Sequence, residues 1–238
     1  MQFLWWYTLK LPRHFYTLED KTMADKIEKT MKNLAKNNMK PYYCETSAEA
    51  LKLVKELLPK GCTVSHGGTE TLKETGITEL LKSGEYNYLD RSKCQSREET
   101  EKLYKQCFLA DVYMTSSNAV TENGELYNVD GNSNRIACIA YGPDSIIAVV
   151  GVNKIVKDIN EAVKRVKTIC APLNTRRLGI STYCGEKNEC VSLFDGNNPF
   201  ICDGCGSEAR ICCNYLISAH QRHKDRIKVI IVNENLGY

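Results

Sequence analysis

The sequence predicts an α/β fold with a mostly parallel sheet flanked by helices. Three observations carry this. The apolar runs Ile136–Ala140, Ile146–Val150 and Lys228–Val232 suit strands covered on both faces. Stretches with apolar residues at helical spacing alternate with these short runs. Connections are short and carry turn and cap chemistry, as alternating strand–helix folds require.

Taken in order, Ile27, Met31, Leu34 and Ala35 recur at helical spacing after Met23. A second helix follows Ser47, with Leu51, Val54, Leu57 and Leu58 on one face. Gly61 introduces a strand, Cys62-Thr63-Val64, which runs into Ser65-His66-Gly67-Gly68-Thr69. Thr71 to Leu81 reads as helix interrupted near Gly76, and Tyr86 to Leu89 as a short strand. Ser96 with Glu99 forms a capping box that opens a helix through Leu103, Tyr104 and Cys107. Asp111 to Thr115 is the next strand, and the apolar runs at 136–140 and 146–150 are two more. Asp158 with Glu161 caps a helix that turns Ile159, Ala162, Val163, Val166 and Ile169 inward. Asn174 to Pro199 reads as loop, residues 209–220 as a last helix, and Lys228–Val232 as a final buried strand.

The 238 residues suffice for one large domain with a sizeable core. A net charge of +3 is too small for a protein that tracks nucleic acid. Apolar runs fall short of the roughly 20 residues that span a bilayer. A cytoplasmic protein with neither nucleic-acid nor membrane partners is the expectation. Residues 1–22, with Trp5 and Trp6, lack periodicity and lack the basic start and cleavage site of a signal peptide. They are read as an N-terminal extension ahead of a start at Met23.

Three places carry chemistry. In the first, a strand ends at His66, and Gly67, Gly68 and Thr69 lead into a helix, where free backbone N–H groups can face an anion. A tight turn capped by Thr69 explains the same residues, and His66 is a general acid/base or a loop polar group. The second is the polar stretch from Ser116 to Arg135, following a strand, where open α/β sheets bind ligands. Asn118, Asn128, Asp130, Asn134 and Arg135 there offer donors, acceptors and a guanidinium fork, while Glu122-Asn123-Gly124 makes a hairpin turn. The third is a cluster of six cysteines between Cys184 and Cys213, with the pair Cys202-x-x-Cys205 at its centre. Such clustering points to a zinc or iron–sulfur centre in a reducing compartment, or to free thiols in a loop.

Together these places resemble the lactate-utilisation (LUD) domain family. The matching residues are Gly67-Gly68-Thr69-x-Thr71-Leu72-x-Glu74-Thr75-Gly76, Asp90-Arg91, the stretch from Ala110 through Asn118, Asn128, Asp130-Gly131 and Asn134-Arg135, and Tyr141-Gly142-Pro143. Gly151-x-Asn153-Lys154-Ile155-Val156 and Ala171-Pro172-Leu173-Asn174 complete the set. The likeness runs from Met23 to Gly237, so residues 23–238 form the LUD-like domain, including a Cys-rich loop at 184–213. It implies a fold similar to the sugar-phosphate isomerase, glucosamine-phosphate deaminase and CoA-transferase group. It also implies a link to L-lactate oxidation to pyruvate beside iron–sulfur and flavin partner proteins. In the subgroup with a cysteine tail, the likeness assigns metal ligation to Cys184, Cys202, Cys205 and Cys212. An insertion over Val191–Ile201 leaves Cys190 as an alternate first ligand. His66 departs from the small or apolar residue usual in relatives.

The leading functional expectation is a component of lactate-type organic acid oxidation, a subunit of an oxidoreductase. It would bind a small anionic ligand at Gly67, Gly68, Thr69, Asn118, Asn128, Asp130, Asn134, Arg135 and Lys154, with the metal centre on the tail. A sugar-phosphate isomerase-like enzyme with Asp130 or Glu122 as base is the first rival. A non-catalytic regulatory module with structural zinc is the second.

Overall fold

A computed structural model of the chain describes residues 18–193 and 200–238. The extension expected over residues 1–22 lies outside them, except for its last five, which already belong to helix α1 (Leu18–Lys36). Part of the insertion at Val191–Ile201 also lies outside them.

Six strands form a wholly parallel sheet: β1 (Lys40–Cys44), β2 (Thr63–His66), β3 (Asn87–Tyr88), β4 (Val112–Thr115), β7 (Ser145–Gly151) and β10 (Ile227–Val232). Their order across the sheet is β1-β10-β7-β4-β2-β3. β7 and β10 lie in the middle, which is why both read as continuous apolar runs. Alternate residues serve opposite faces. Ile147, Val149, Ile230 and Val232 join one core with α2 (Ser47–Leu57) and α4 (Ile77–Leu81). Ile146, Val150, Val229 and Ile231 join the other with Ile27 and Leu34 of α1.

A second sheet holds β8 (Ile155–Val156), β5 (Ala119–Thr121), β6 (Leu126–Asp130) and β9 (Asn214–Ser218), in that order. β5 and β6 are the hairpin expected around Asn123-Gly124, and their pairing is antiparallel. Gly124 has φ +81°, a left-handed conformation that suits glycine. A Cβ there would lie 2.5 Å from the backbone of Asn33 and Leu34, so the turn is docked directly on α1. Asn33 and Asn37 donate to the Glu122, Asn123 and Gly124 carbonyls, and Lys29 pairs with Glu122 at 2.8 Å. Gly124→Ala combines a strained φ with overpacking, so it should cost about 2–3 kcal/mol, read as a lower urea midpoint at unchanged slope.

Four expectations are corrected. Residues 136–140 are not a strand but part of α6 (Asn134–Ala140), with Ile136, Cys138 and Ile139 buried. A five-residue apolar run cannot distinguish the two by period. What decides is the Asp130 carboxylate, which accepts the backbone N–H groups of Arg135 and Ile136 and so starts the helix. Residues 209–220 are not a helix, because β9 pairs antiparallel with the edge of β6. Ile169 does not face inward: it is 41% exposed. Residues 166–170 form a π turn between α7 (Ile159–Arg165) and α8 (Ala171–Arg177), and the wider turn swings Cys170 in and Ile169 out. Within the stretch read as loop, α8 continues to Arg177 and α9 (Tyr183–Lys187) follows. Strand β1 has no counterpart in the sequence reading.

The remaining α-helices among the described residues are α3 (Glu70–Glu74) and α5 (Arg97–Gln106), the latter capped by Ser96, whose hydroxyl accepts the Glu99 N–H. No helix among the described residues is long and apolar enough to cross a membrane.

Candidate functional site

The parallel strands point their carboxyl ends at one edge. From there emerge Gly67-Gly68-Thr69 after β2, Ser116 to Asn118 after β4, and Asn153-Lys154 after β7. The second sheet and the π turn stand opposite, and a cleft of about 600 Å³ lies between. It is the crevice location expected for open α/β sheets.

Gly68, Thr69, Asn118, Asp130, Asn134, Arg135 and Lys154 line this cleft, so most of the expected ligand residues come together. Gly67 and Asn128 stand just behind its wall. A Cβ on Gly67 would lie 2.9 Å from Arg135 Cδ and 3.2 Å from the Tyr113 hydroxyl, so close packing against Arg135 and Tyr113 requires glycine here. Asn128 is 1% exposed, and its side-chain Nδ2 has no hydrogen-bond partner among the described residues.

Arg135 is the hub of the wall. Its Nε donates to Asp130 at 2.9 Å, Nη1 to Asn128 Oδ1 at 2.5 Å and to the Ser116 carbonyl at 3.3 Å. Its Nη2 donates to Asn118 Oδ1 at 2.9 Å and to the Val129 carbonyl at 3.0 Å. The five guanidinium donors therefore have five protein acceptors. The fork holds β6, Asn118 and the end of β4 in register. Asp130 in turn is held by this ion pair and by the two backbone N–H groups of α6.

Lys154 is 2% exposed. Its Nζ rests 2.8 Å from Thr71 Oγ1 and 3.0 Å from Ser116 Oγ, and it forms no ion pair among the described residues. Burial, with Arg165 and Arg135 nearby, brings its pKa down to about 8, with Cys170 and Glu74 acting the other way. Arg165, also buried, donates to the Asn118 and Asn153 carbonyls and to Cys170 Sγ.

Two candidate catalytic groups stand elsewhere. His66 stacks on Tyr88 with ring centroids 5.7 Å apart and is not among the residues lining the cleft; burial lowers its pKa. Glu122 sits in the hairpin turn against α1, paired with Lys29. Sequence reasoning missed Arg91, Tyr104, Cys170, Asn174, Arg177, Arg210 and Tyr238, all of which line the cleft. Arg91 had a signal in the Asp90-Arg91 match. Asn174 had one in the Ala171-Pro172-Leu173-Asn174 match and Arg210 in its likeness to the cysteine-tail pattern, whereas Tyr104, Cys170, Arg177 and Tyr238 sit where no motif marks them.

The balance of charge is cationic: Arg91, Arg135, Lys154, Arg177 and Arg210 against Glu70, Asp130 and Glu208. Arg135 is consumed internally and Arg177 lies 3.6 Å from Glu70. Among the described residues, Arg91 on the exposed rim has the Tyr104 hydroxyl as its one hydrogen-bond acceptor, at 3.0 Å.

Cys184, Cys190, Cys205 and Cys212 line a separate small cavity of about 30 Å³ between α7, α9 and the tail. Burial pushes the Cys212 thiol up to about 12, and Cys184 and Cys190 push in the same direction. Cys202 is exposed and does not line this cavity. Among the described residues, no three His, Cys, Asp or Glu side chains are gathered closely enough to hold a metal ion as they stand. Arg210 ties the tail together through the Cys202, Cys205 and Cys212 carbonyls. Cys212, Arg210, Ile211, Val166 and Ala171 line both this cavity and the cleft.

Comparison with solved structures finds similarity to a DUF162 family protein from Deinococcus radiodurans, 15% identical, covering 89% of this chain and 97% of that one at a TM-score of 0.47. Weaker similarity extends to eIF2B delta from Chaetomium thermophilum (16% identity, 47% and 49% coverage, TM-score 0.32). Ribose 5-phosphate isomerase from Plasmodium falciparum gives 17% identity, 47% and 52% coverage and a TM-score of 0.30. No curated protein matches the sequence. The LUD domain profile, from a family related to lactate utilisation, matches residues 27–232, a span that takes in both sheets and every wall of the cleft except Tyr238. The chain belongs to the LUD domain family.

Proposed function

We propose that the protein serves lactate-type organic acid oxidation to pyruvate, as a component that binds a small carboxylate in the cleft at the carboxyl ends of β2, β4 and β7. The observation that carries this reading is the cationic surplus of the cleft, above all a buried Lys154 and a rim Arg91 without ion-pair partners among the described residues. A buried cation lacking a counter-charge is costly unless a ligand supplies one. Arg91 and Arg177 meet the anionic group at the rim, and Asn118, Asp130 and Asn134 with Lys154 orient the rest.

The tail is the proposed metal centre. Four thiols around one cavity are a soft donor set suited to zinc or an iron–sulfur cluster. The proposed ligands are Cys184, Cys202, Cys205 and Cys212, with Cys190 as the alternate for the first; of these, Cys184, Cys190, Cys205 and Cys212 line the cavity, and their side chains are not gathered for a metal as they stand. An iron–sulfur cluster supplies electron transfer to redox partner proteins, whereas zinc supplies a staple for a segment with little regular structure.

Isothermal calorimetry with L-lactate, pyruvate, ribose 5-phosphate and inorganic phosphate tests the cleft. Arg91→Ala and Arg177→Ala should each weaken anion binding about tenfold, the loss of one charge-assisted contact. Heat signals that ignore both substitutions, or no anion binding at all, would sink the reading. Anaerobic purification with metal analysis tests the tail: iron with broad visible absorption supports the redox role, and stoichiometric zinc removes it.

A further inference from the structure

Lys154 has a second capacity, which rests on the cleft being an anion site as above. We infer that its Nζ is a nucleophile that forms an imine with the carbonyl carbon of a small anionic carbonyl compound bound in the cleft. Three observations converge. The amine is held at a cleft wall by two neutral hydroxyls, Thr71 Oγ1 at 2.8 Å and Ser116 Oγ at 3.0 Å, with no carboxylate paired to it among the described residues. Thr71 directs its own hydroxyl proton to the Leu236 carbonyl, so toward Nζ it acts as acceptor and fixes the amine's direction. Arg91 and Arg177 stand at the same cleft as separate cations, so a ligand's anionic group can be met without using the lysine.

The environment supplies the activation a lysine needs. Desolvation, with Arg165 and Arg135 close by, favours the neutral amine, and desolvation beside other cations is a recognised way to make lysine nucleophilic at neutral pH. The neutral amine adds through its lone pair to the carbonyl carbon. The carbonyl oxygen then leaves as water, carrying the two hydrogens that Nζ gives up, and a C=N bond replaces C=O. Ser116 passes the proton between Nζ and the departing oxygen. No oxidant or reductant enters this step. A bound 2-oxo acid and a bound phosphosugar in its open form share this chemistry.

Hydride trapping tests the inference. The protein is incubated with pyruvate in one arm and ribose 5-phosphate in the other, sodium cyanoborohydride is added, and the modified peptide is mapped by mass spectrometry. The expected result is a carbonyl- and hydride-dependent adduct on Lys154, abolished in Lys154→Arg and Lys154→Met while circular dichroism confirms that both variants fold. The arm that labels identifies whether the anionic group is carboxylate or phosphate. If calorimetry shows either compound bound but Lys154 stays unmodified, or is labelled no more than surface lysines, the imine is overturned and the anion cleft stands. If neither compound binds and no adduct forms, both fall.

Discussion

Arg135→Met should lower stability by about 3–5 kcal/mol, the cost of removing one partner from a buried ion pair. The substitution strips five acceptors at once: Asp130, Asn128, Asn118 and the carbonyls of Ser116 and Val129. Asp130 is 8% exposed and, among the described residues, would keep only its two backbone donors from α6. For a chain of this size the loss corresponds to a fall in melting temperature of roughly 10 °C. Anion binding should fall with it even where the variant is folded, because Asn118 and Asp130 lose the group that aims them. A melting point within about 2 °C of the parent's would show that the fork is not what holds the wall.

Lys154→Met should do the opposite to stability and abolish the trapped imine. Methionine fills similar volume without a charge to desolvate, so near neutral pH the variant should be more stable by on the order of 1–3 kcal/mol, the relieved burial cost less two hydroxyl contacts. The sign with pH is fixed by the direction of the shift. The lysine's pKa falls from 10.5 to about 8 on folding, so below pH 8 both states are protonated and the folded one bears the full cost. Between pH 8 and 10.5 the unfolded chain binds the proton and the folded one has released it, so parental stability gains on the variant as pH rises. The neighbours Arg165, Arg135, Cys170 and Glu74 are common to both proteins, so the difference between the two stability curves isolates Lys154. Parallel curves across that window would mean that the amine is not desolvated as its surroundings imply.

How much of this the sequence showed depends on what kind of physics placed each residue. The central strands β7 and β10 were legible because burial on both faces demands unbroken apolar runs. The hairpin at Asn123-Gly124 was legible because a left-handed turn restricts residue choice. α6 was not, since its start depends on a carboxylate reaching from Asp130 at the end of another strand. β9 was hidden because its pairing with β6 is a tertiary event that its own residues do not announce. At the site, residues next to strand ends were found by position, Gly68, Thr69, Asn118 and Asp130, whereas Lys154 came through the family likeness. Those brought in by the π turn and tail, Cys170, Arg177 and Arg210, were missed because their approach follows from helix register and loop path. Arg135 was found, but its engagement with five internal acceptors required the three-dimensional network.

The position of β10 has a consequence for how the chain comes to be folded. β10 lies between β1 and β7, pairing Lys40 with Lys228 and Ile227 with Ile146 in parallel register. The earliest strand therefore has no partner in the sheet until the last one exists. Such long-range parallel closures are slow, because the loop entropy is spent before any contact returns it. During synthesis, Tyr42 and Cys44 of β1 and Ile147 and Val149 of β7 must wait with their edges open. A ribosome-tethered chain lacking residues 227–232 should accordingly be protease-sensitive at β1 and along the open edge of β7, and prone to associate through those edges.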